Sequence, residues 1–333
     1  QWGQRALVVS LVSEVARAYF LLRDLDARLE ISKDTLESRK KQTKLVRNRF
    51  EGGIVSELDV RQAEVQEAIA AVAVPAFERQ IVQTENALSL LLGRSPGDIR
   101  RGQELVEQVL PEDPPVGLPS ELLQRRPDVR RTEENLHAQL ARIGVAQALR
   151  WPSLSLTGTL GLASNDLDDF ISSDNQAWSI GGSLLGPIFD AGRGRSRVEQ
   201  ERARTEQLIS AYELTVLRAF EEVENSLVDI QTFRDEARAR EAQVVAAQSA
   251  AGLSRARYNG GVTSFLEVLE SERSLFRTEL QASATRRQQV VSLVTLYKAL
   301  GGGWATQEEM EAAGGFYQAT LPPGATAATE SPD

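Results

Sequence analysis

The sequence predicts a mainly α-helical protein with a small β part, in which two long antiparallel coiled-coil helical hairpins flank one β-hairpin. The first observation behind this prediction is an internal repeat: RNRFEGGIVSELDVRQAE at 47–64 returns as RARYNGGVTSFLEVLESE at 255–272, an offset of 208 residues. The second is a seven-residue apolar period in both copies, and the third is a two-residue period between them. Two internal repeats predict pseudo-symmetry and argue against a single asymmetric catalytic centre.

Composition and charge exclude several classes of function. The net charge of −9 and the pI of about 5.0 argue against a nucleic-acid partner, because binding phosphates needs a cationic surface. The chain has no cysteine, and His137 is its one histidine. We find no nucleophile and base pair, no metal-ligand cluster and no cofactor loop, so we predict no enzymatic activity, no cofactor and no metal site. No run of about 18 apolar residues predicts a membrane-spanning helix.

The first helix of each copy carries a coiled-coil seam. Apolar residues recur there every seven positions, which predicts a left-handed supercoil. The seam consists of Val8, Val15, Leu22, Leu29 and Leu36 in the first copy and Val216, Val223, Ile230, Ala237 and Val244 in the second. We expect helices over about 6–50 and 193–258, roughly 65 and 100 Å long at ~1.5 Å per residue.

Each long helix ends in an aromatic residue followed by two glycines. The motif consists of Phe50, Gly52 and Gly53 in the first copy and Tyr258, Gly260 and Gly261 in the second. Glycine supplies the positive φ of a helix stop, and Ser56 and Ser264 stand where an N-cap would open a return helix. We expect these return helices over about 57–92 and 265–300. The motif alone is compatible with a plain tight turn and with a turn that also contacts a partner protein.

A two-residue period predicts two strands between the copies, over 151–163 and about 178–189. In the first, one face carries Leu154, Leu156, Leu160 and Leu162, and the other carries Ser153, Ser155, Thr157 and Thr159. The second strand alternates Trp178, Ile180, Leu184 and Ile188 against Ser179, Gly181 and Ser183.

A soluble sandwich would show the same alternation as a membrane-crossing strand. Two observations favour lipid on the leucine face: each strand has at least the ~9 to 11 residues that a bilayer requires, and Trp151 and Trp178 stand where an aromatic girdle would lie. An isolated hairpin cannot remain in lipid, because its unpaired edge groups cost several kcal/mol each. The sequence therefore predicts that several copies close a barrel together.

Four stretches of the chain carry a family resemblance: LPSELLQRRPDVRRTEENLHAQLARIGVAQALRWPSLSLTGTLG at 118–161, GPIFDAGR at 186–193, RARYNGGVTSFLEVLESERSL at 255–275 and LYKALGGGW at 296–304. They resemble the outer-membrane efflux factors, the TolC-like family, and in particular its lipoprotein branch. The resemblance covers about residues 1–304. It implies a homotrimer with a 12-stranded barrel in the outer membrane of a Gram-negative bacterium and an α-barrel in the periplasm. It also implies a passive duct that docks on a periplasmic adaptor and, through it, on an inner-membrane pump.

The resemblance also implies roles for single residues. The helical turns would form the periplasmic tip that contacts the adaptor, through Arg49, Phe50, Gly52, Gly53, Arg257, Tyr258, Gly260 and Gly261. The narrowest point of the family matches Leu266 and Glu270. Residues four apart share one face of a helix, so three copies would place an apolar ring and an anionic ring in one lumen. Such rings favour cations and open when the helices move apart.

We divide the chain accordingly. The expected segments are 1–97, the first helical hairpin of the α-barrel; 98–126, an equatorial segment; 127–150, a helix leading to the barrel; 151–190, the transmembrane β-hairpin; 191–304, the second helical hairpin; and 305–333, an equatorial or disordered tail. The repeat register pairs Gln1 with Ile209, so we expect about 90 residues with one helix and two strands, and a lipid-bearing cysteine, to precede the sequence.

The leading interpretation is a channel subunit that exports small molecules, either drugs or metal ions. A soluble periplasmic coiled-coil scaffold or adaptor is a rival, but it does not explain two strands with leucines on one face. A truncated homologue that no longer conducts is a second rival.

Overall fold

The computed structural model describes residues 2–108, 110, 125–162 and 176–302. These ranges contain the helices α1 (Trp2–Glu51), α2 (Glu57–Leu91), α3 (Pro127–Ala148), α4 (Arg193–Asn259) and α5 (Phe265–Ala299) and the strands β1 (Ser153–Leu162) and β2 (Gln176–Leu185). The prediction of a mainly helical protein with few strands is confirmed. Residues 109 and 111–124 of the predicted equatorial segment, the connection at 163–175, the tail at 305–333 and the side chain of Leu162 lie outside the described residues.

The chain divides into two compact units. Of the described residues, unit one holds 3–108, 110, 125–126 and 220–302, and unit two holds 127–162 and 176–219. Unit one therefore contains α1, α2, the C-terminal part of α4 and all of α5. Unit two contains α3, the two strands and the N-terminal part of α4.

Antiparallel helix pairs build unit one. Arg47 pairs with Glu64 at 2.8 Å and Lys33 with Glu78 at 3.6 Å, so α2 runs back along α1. In the second repeat, Gln248 donates to Glu279 at 3.3 Å and Arg240 to Gln281 at 2.9 Å. Both return helices begin and end within one residue of the predicted positions.

Small separate clusters of apolar side chains form the core of unit one. The cluster nearest the turns contains Val46, Val60, Ala63, Phe265, Val268 and Leu269. A second contains Leu22, Leu25, Ile81, Leu88 and Ile99, and a third contains Val223, Ile230, Leu296 and Ala299. Burial of these side chains, at about 25 cal/mol per Å² of apolar surface, holds the helices side by side along their length.

The predicted seam of α1 is buried from its second position onward. Leu22 is fully buried, Val15 and Leu29 pack against the same cluster, and Leu36 is half-buried. Val8 departs from the prediction, because it is 50% exposed. A helix of 3.6 residues per turn drifts away from a strict seven-residue repeat, and at this end the protein-facing position is taken by Val9, which approaches Gly302.

The most deeply buried stripe of α1 is one that the hydrophobic pattern does not reveal. Leu25, Ser32, Arg39 and Val46 follow one another at intervals of seven and are each at most 3% exposed. Two of these four residues are polar, and for Ser32 a hydrogen bond compensates for burial, because its Oγ donates to the carbonyl of Arg28 at 2.7 Å.

The strands of unit two form an antiparallel hairpin whose two faces differ sharply. The register pairs Leu154 with Leu184, Gly158 with Ile180 and Leu160 with Trp178, so the predicted apolar rows share one face. The large side chains of that face are 71–82% exposed. On the other face, hydroxyl pairs join the strands at 2.7 Å: Ser155 with Ser183 and Thr159 with Ser179.

The second strand is shifted relative to the prediction. It ends at Leu185, so Ile188 and Phe189 lie beyond it and Trp178 is its third residue. A physical reason is the sequence Gly186-Pro187: proline has no N–H for a ladder, and the position of a Cβ on Gly186 would lie 2.7 Å from Pro152 Cα. The first strand covers 153–162 and begins two residues later than expected.

Candidate functional site

The candidate site is the end of unit one at which both helical turns lie. The turns have the same backbone structure in both repeats. Ile54 N donates to Arg49 O at 2.9 Å and Gly53 N to Phe50 O at 2.9 Å, which is the bonding pattern of a Schellman motif. In the second repeat, Val262 N donates to Arg257 O at 2.9 Å and Gly261 N to Tyr258 O at 3.1 Å. The φ angles of Gly53 and Gly261 are 71° and 72°, so the predicted glycine stops are confirmed.

The return helices open differently in the two repeats. Ser56 forms a capping box with Asp59, in which the Ser56 hydroxyl accepts from the Asp59 N–H and the Asp59 carboxylate accepts from the Ser56 N–H. Ser264 is the N-cap residue of α5, as predicted, but its side chain makes no capping bond. Glu267, the counterpart of Asp59, instead receives the Thr263 hydroxyl and an ion pair from Arg257 Nε at 3.1 Å.

One side-chain joint connects the two turns. The guanidinium of Arg49 lies 4.9 Å from the ring centroid of Tyr258, a cation–π contact, and its Nη2 donates to Asn259 Oδ1 at 3.2 Å. The Tyr258 ring lies 5.2 Å from the Phe265 ring and packs against the cluster nearest the turns. The structure therefore brings Arg49 and Tyr258 together. Phe50 and Arg257 are not part of this joint.

About three helical turns before the end of α1, a buried charge connects both repeats. Arg39 on α1 is 3% exposed, donates through Nη1 to the carbonyl of Gln66 at 2.6 Å and lies 5.2 Å from the Phe276 ring centroid. Burial lowers the pKa of Arg39 below its ordinary value, and the carboxylate of Glu272 opposes that shift. Glu272 itself pairs with Arg255. Polar and charged contacts, and not apolar packing alone, thus link α1, α2, α4 and α5.

Leu266 and Glu270 lie in an open groove of about 380 Å³ between the first turns of α2 and α5. Leu266 is 62% exposed, and the Glu270 carboxylate forms an ion pair with Arg273 of the same helix. Leu58 and Gln62 line the groove from α2. Sequence reasoning missed these two residues, although the offset of 208 carries Leu266 onto Leu58 and Glu270 onto Gln62.

The described residues contain no group of three or more His, Asp or Glu side chains placed to hold a metal ion. In the same part of the chain, no helix has both the length and the apolar character needed to cross a membrane.

The tip and the two-faced hairpin occur in a sequence that matches a known family. The model of the family described as outer membrane efflux protein matches residues 3–94 and 118–302. This chain belongs to the outer membrane efflux protein family. Both repeats and both strands lie within the matched residues, so the resemblance noted in the sequence is confirmed.

Members of this family with curated names are similar to the chain over most of its length. The solvent efflux pump outer membrane protein SrpC of Pseudomonas putida is 36% identical over 307 residues, which are 92% of this chain and 65% of SrpC. The outer membrane protein OprJ of Pseudomonas aeruginosa is 36% identical over 314 residues, 90% of this chain and 63% of OprJ. The chain thus spans somewhat less than two thirds of the length of these relatives.

Solved channel structures of the family share the fold. The open state of the MtrE outer membrane channel of Neisseria gonorrhoeae superposes with a TM-score of 0.80 at 32% identity, covering 91% of this chain and 68% of MtrE. The CmeC outer membrane channel of Campylobacter jejuni gives a TM-score of 0.84 at 25% identity, covering 97% of this chain and 69% of CmeC.

Proposed function

We propose that the chain is a subunit of an outer-membrane channel that serves as the passive exit duct of a tripartite efflux system. Its cargo would be small molecules, either drugs or metal ions. SrpC is named as the outer membrane protein of a solvent efflux pump and OprJ as an outer membrane protein, and this favours the channel over a soluble periplasmic adaptor. The family is one of transport proteins, in keeping with a role that involves no reaction and no resident cofactor.

The two faces of the β-hairpin are the observation that carries this proposal. Leu154, Leu156 and Leu160 of β1 share one exposed face with Trp178, Ile180 and Leu184 of β2. Six large apolar side chains on one exposed face would be costly in water, at about 25 cal/mol per Å², and favourable against hydrocarbon. The paired hydroxyls of the other face suit an aqueous lumen.

The hairpin needs partners to remain in a membrane. Among the described residues, β1 and β2 pair with each other alone, so the outer edge of each strand has free N–H and C=O groups. Each such group costs several kcal/mol in hydrocarbon, and closure into a barrel with strands of other copies removes that cost. We infer a homotrimer, with outer-membrane lipid around the hairpin.

The long helices of unit one would form the periplasmic α-barrel, with the turns at its tip. The tip exposes backbone and apolar side chains that a partner protein could contact: Ile54 is 74% exposed and Val262 71%. We propose that this surface, with Gly52, Gly53, Gly260 and Gly261, docks on a periplasmic adaptor that in turn binds an inner-membrane pump. Arg49 and Tyr258 would hold the two turns together inside it.

Leu266 and Glu270 would form the constriction of the duct. Both side chains are exposed on one face at the start of α5, where three copies could approach each other. Because Arg273 partly neutralises the negative charge of Glu270 in each copy, we expect the ring to have only a moderate preference for cations.

Planar bilayer recordings test this function. The wild-type protein is expected to form discrete channels of low conductance, and Leu266→Ala with Glu270→Ala is expected to raise the single-channel conductance several-fold, because it widens the narrowest ring and removes its charge. Leu217→Ala with Glu221→Ala is a matched control on α4, with the same residue types at the same spacing on an exposed face.

The outcomes separate two claims. A wild-type protein without channel activity would contradict the proposed function. A conducting wild type whose conductance does not change in the Leu266 and Glu270 variant would move the constriction elsewhere and leave the channel in place.

A further inference from the structure

The residues that form the joint between the two turns have counterparts in the other repeat, and these counterparts take no part in that joint. In the joint, Arg49 on α1 contacts Tyr258 and Asn259 on α4. Leu45 on α1 lines a groove with the same two residues and is the fourth residue of the set. Since the chain is a repeat, each of these residues has a counterpart 208 positions away. The counterparts are Arg257 and Leu253 on α4 and Phe50 and Glu51 on α1.

The counterparts keep the chemistry of the joint. Arg49 corresponds to another arginine, Leu45 to another leucine and the aromatic Tyr258 to Phe50. Asn259, which accepts a hydrogen bond from Arg49, corresponds to Glu51, a stronger acceptor with a negative charge. The second set therefore has the residue types needed to form the same contact, which the structure shows once.

The second set of residues is exposed in the single chain. Leu253 is 66% exposed, Phe50 40%, and the Arg257 side chain 55%. Arg257 Nε pairs with Glu267, but a guanidinium carries five N–H donors, so the bond from Nε leaves the Nη atoms able to donate to a further carboxylate. Both helical turns are Schellman motifs, so the backbone next to both sets of residues has the same conformation.

We propose that the second set forms the same joint between neighbouring copies. Arg257 and Leu253 of one copy would receive Phe50 and Glu51 of the next, with the Arg257 guanidinium on the Phe50 ring and bonded to the Glu51 carboxylate. The contact is heterologous, because one copy gives its second repeat and the other its first, and a heterologous contact closes into a ring if its rotation permits. This inference rests on the proposed ring of subunits and names the residues that join it at the tip.

Cross-linking between copies tests the contact. Residues 1–333 contain no cysteine, so within them the introduced thiols are the targets of a short bifunctional thiol reagent. Glu51→Cys and Arg257→Cys are made as separate single variants with different tags and assembled together in detergent. We expect a covalent dimer that carries both tags.

The internal joint supplies the matched control. Arg49→Cys and Asn259→Cys, assembled as separate single variants, are expected to give no covalent dimer, whereas both changes in one chain are expected to give a product of single-chain mass. An oligomer that forms normally but yields no dimer from Glu51→Cys and Arg257→Cys would overturn the inference alone. A wild type that is monomeric by mass in detergent would overturn the proposed ring as well.

Charge reversal gives a second readout. Arg257→Glu alone should weaken oligomer assembly roughly fivefold, as expected for a partly exposed charge pair, and Glu51→Arg should do the same. The double variant should recover most of the loss, because it restores opposite charges. If each single change weakens assembly and the double change weakens it further, the two residues do not face each other and the proposal is wrong.

Discussion

Single charged side chains fix parts of the chain that have little apolar surface of their own. Arg101 is the leading example: its Nε and Nη2 donate to both oxygens of Asp26 at 3.0 and 3.1 Å, and its Nη1 bonds Glu85 and the carbonyl of Ile99. The hydrogen bonds to Asp26 are the main cause that raises the pKa of Arg101 above its ordinary value, so the guanidinium stays charged. The path of residues 98–108 across α1 and α2 depends on this cluster.

Arg101→Ala is therefore expected to destabilise the protein by about 2–3 kcal/mol, because it removes the cation that pairs with the largely buried Glu85 carboxylate and leaves Asp26 with Arg23 alone. Urea unfolding followed by circular dichroism measures the loss. Arg61→Ala is the control, since Arg61 also pairs with two carboxylates, Glu57 and Glu64, but does so in solvent, where such pairs add little to stability. Equal losses in the two variants would show that the Arg101 cluster adds nothing beyond a surface ion pair.

At the scale of an element, the helical turns combine a strict backbone demand with free space for side chains. Gly53 and Gly261 have positive φ, and a Cβ added to either would meet nothing within 4 Å. Gly52 and Gly260 precede them without a positive φ, and a Cβ there would meet backbone carbonyls at ordinary distances, from 3.5 Å. The demand at Gly53 and Gly261 thus comes from the backbone conformation and not from crowding.

Gly53→Ala and Gly261→Ala are each expected to cost about 1 kcal/mol of unfolding free energy, the penalty of an L-residue in the left-handed region. Gly52→Ala and Gly260→Ala, made next to them, are expected to change stability by less than about half of that. Denaturant unfolding measures the free energy of unfolding of the four variants for this comparison. A larger loss at Gly52 than at Gly53 would mean that steric contact, and not φ, selects glycine at the turn.

At the scale of the whole molecule, the apolar face of the hairpin and the second set of joint residues are exposed in the single chain, and we expect both to be covered in the assembled channel. Leu156 and Thr157 are adjacent residues on opposite faces of β1, which makes them a natural pair for testing the orientation of the hairpin. Their environments differ in the proposed trimer, since one would contact lipid and the other water.

Leu156→Arg is expected to disfavour insertion by about 2–4 kcal/mol near the middle of the bilayer, whereas Thr157→Arg should be tolerated because the lumen is wet. The fraction of protein that floats with lipid vesicles in a density gradient, compared with wild type, measures both effects. Wild-type protein that stays monodisperse and monomeric in buffer without detergent would contradict lipid contact altogether, and equal effects of the two arginines would contradict the assignment of the faces.

Much of the fold could be predicted because its signals are local. A seven-residue period, a glycine pair and a two-residue period each act on neighbouring residues, and they located α1, α2, α4 and α5 within a few residues of their bounds. Local signals were less reliable at the end of β2, where the chain approaches Pro152, a residue 34 positions earlier. The gate residues Leu266 and Glu270 and the tip surface remain predictions from the resemblance.

The sequence by itself determined the helical hairpins, the repeat and the alternation of the strands, because helix and strand periods follow from backbone geometry within a few residues. The tertiary structure alone decided which stripe of α1 is deepest, that Arg101 binds Asp26 and Glu85, and that Arg49 reaches Tyr258 and not Phe50. Those contacts join residues up to about two hundred positions apart, and their free energy depends on burial and distance that no periodic pattern encodes.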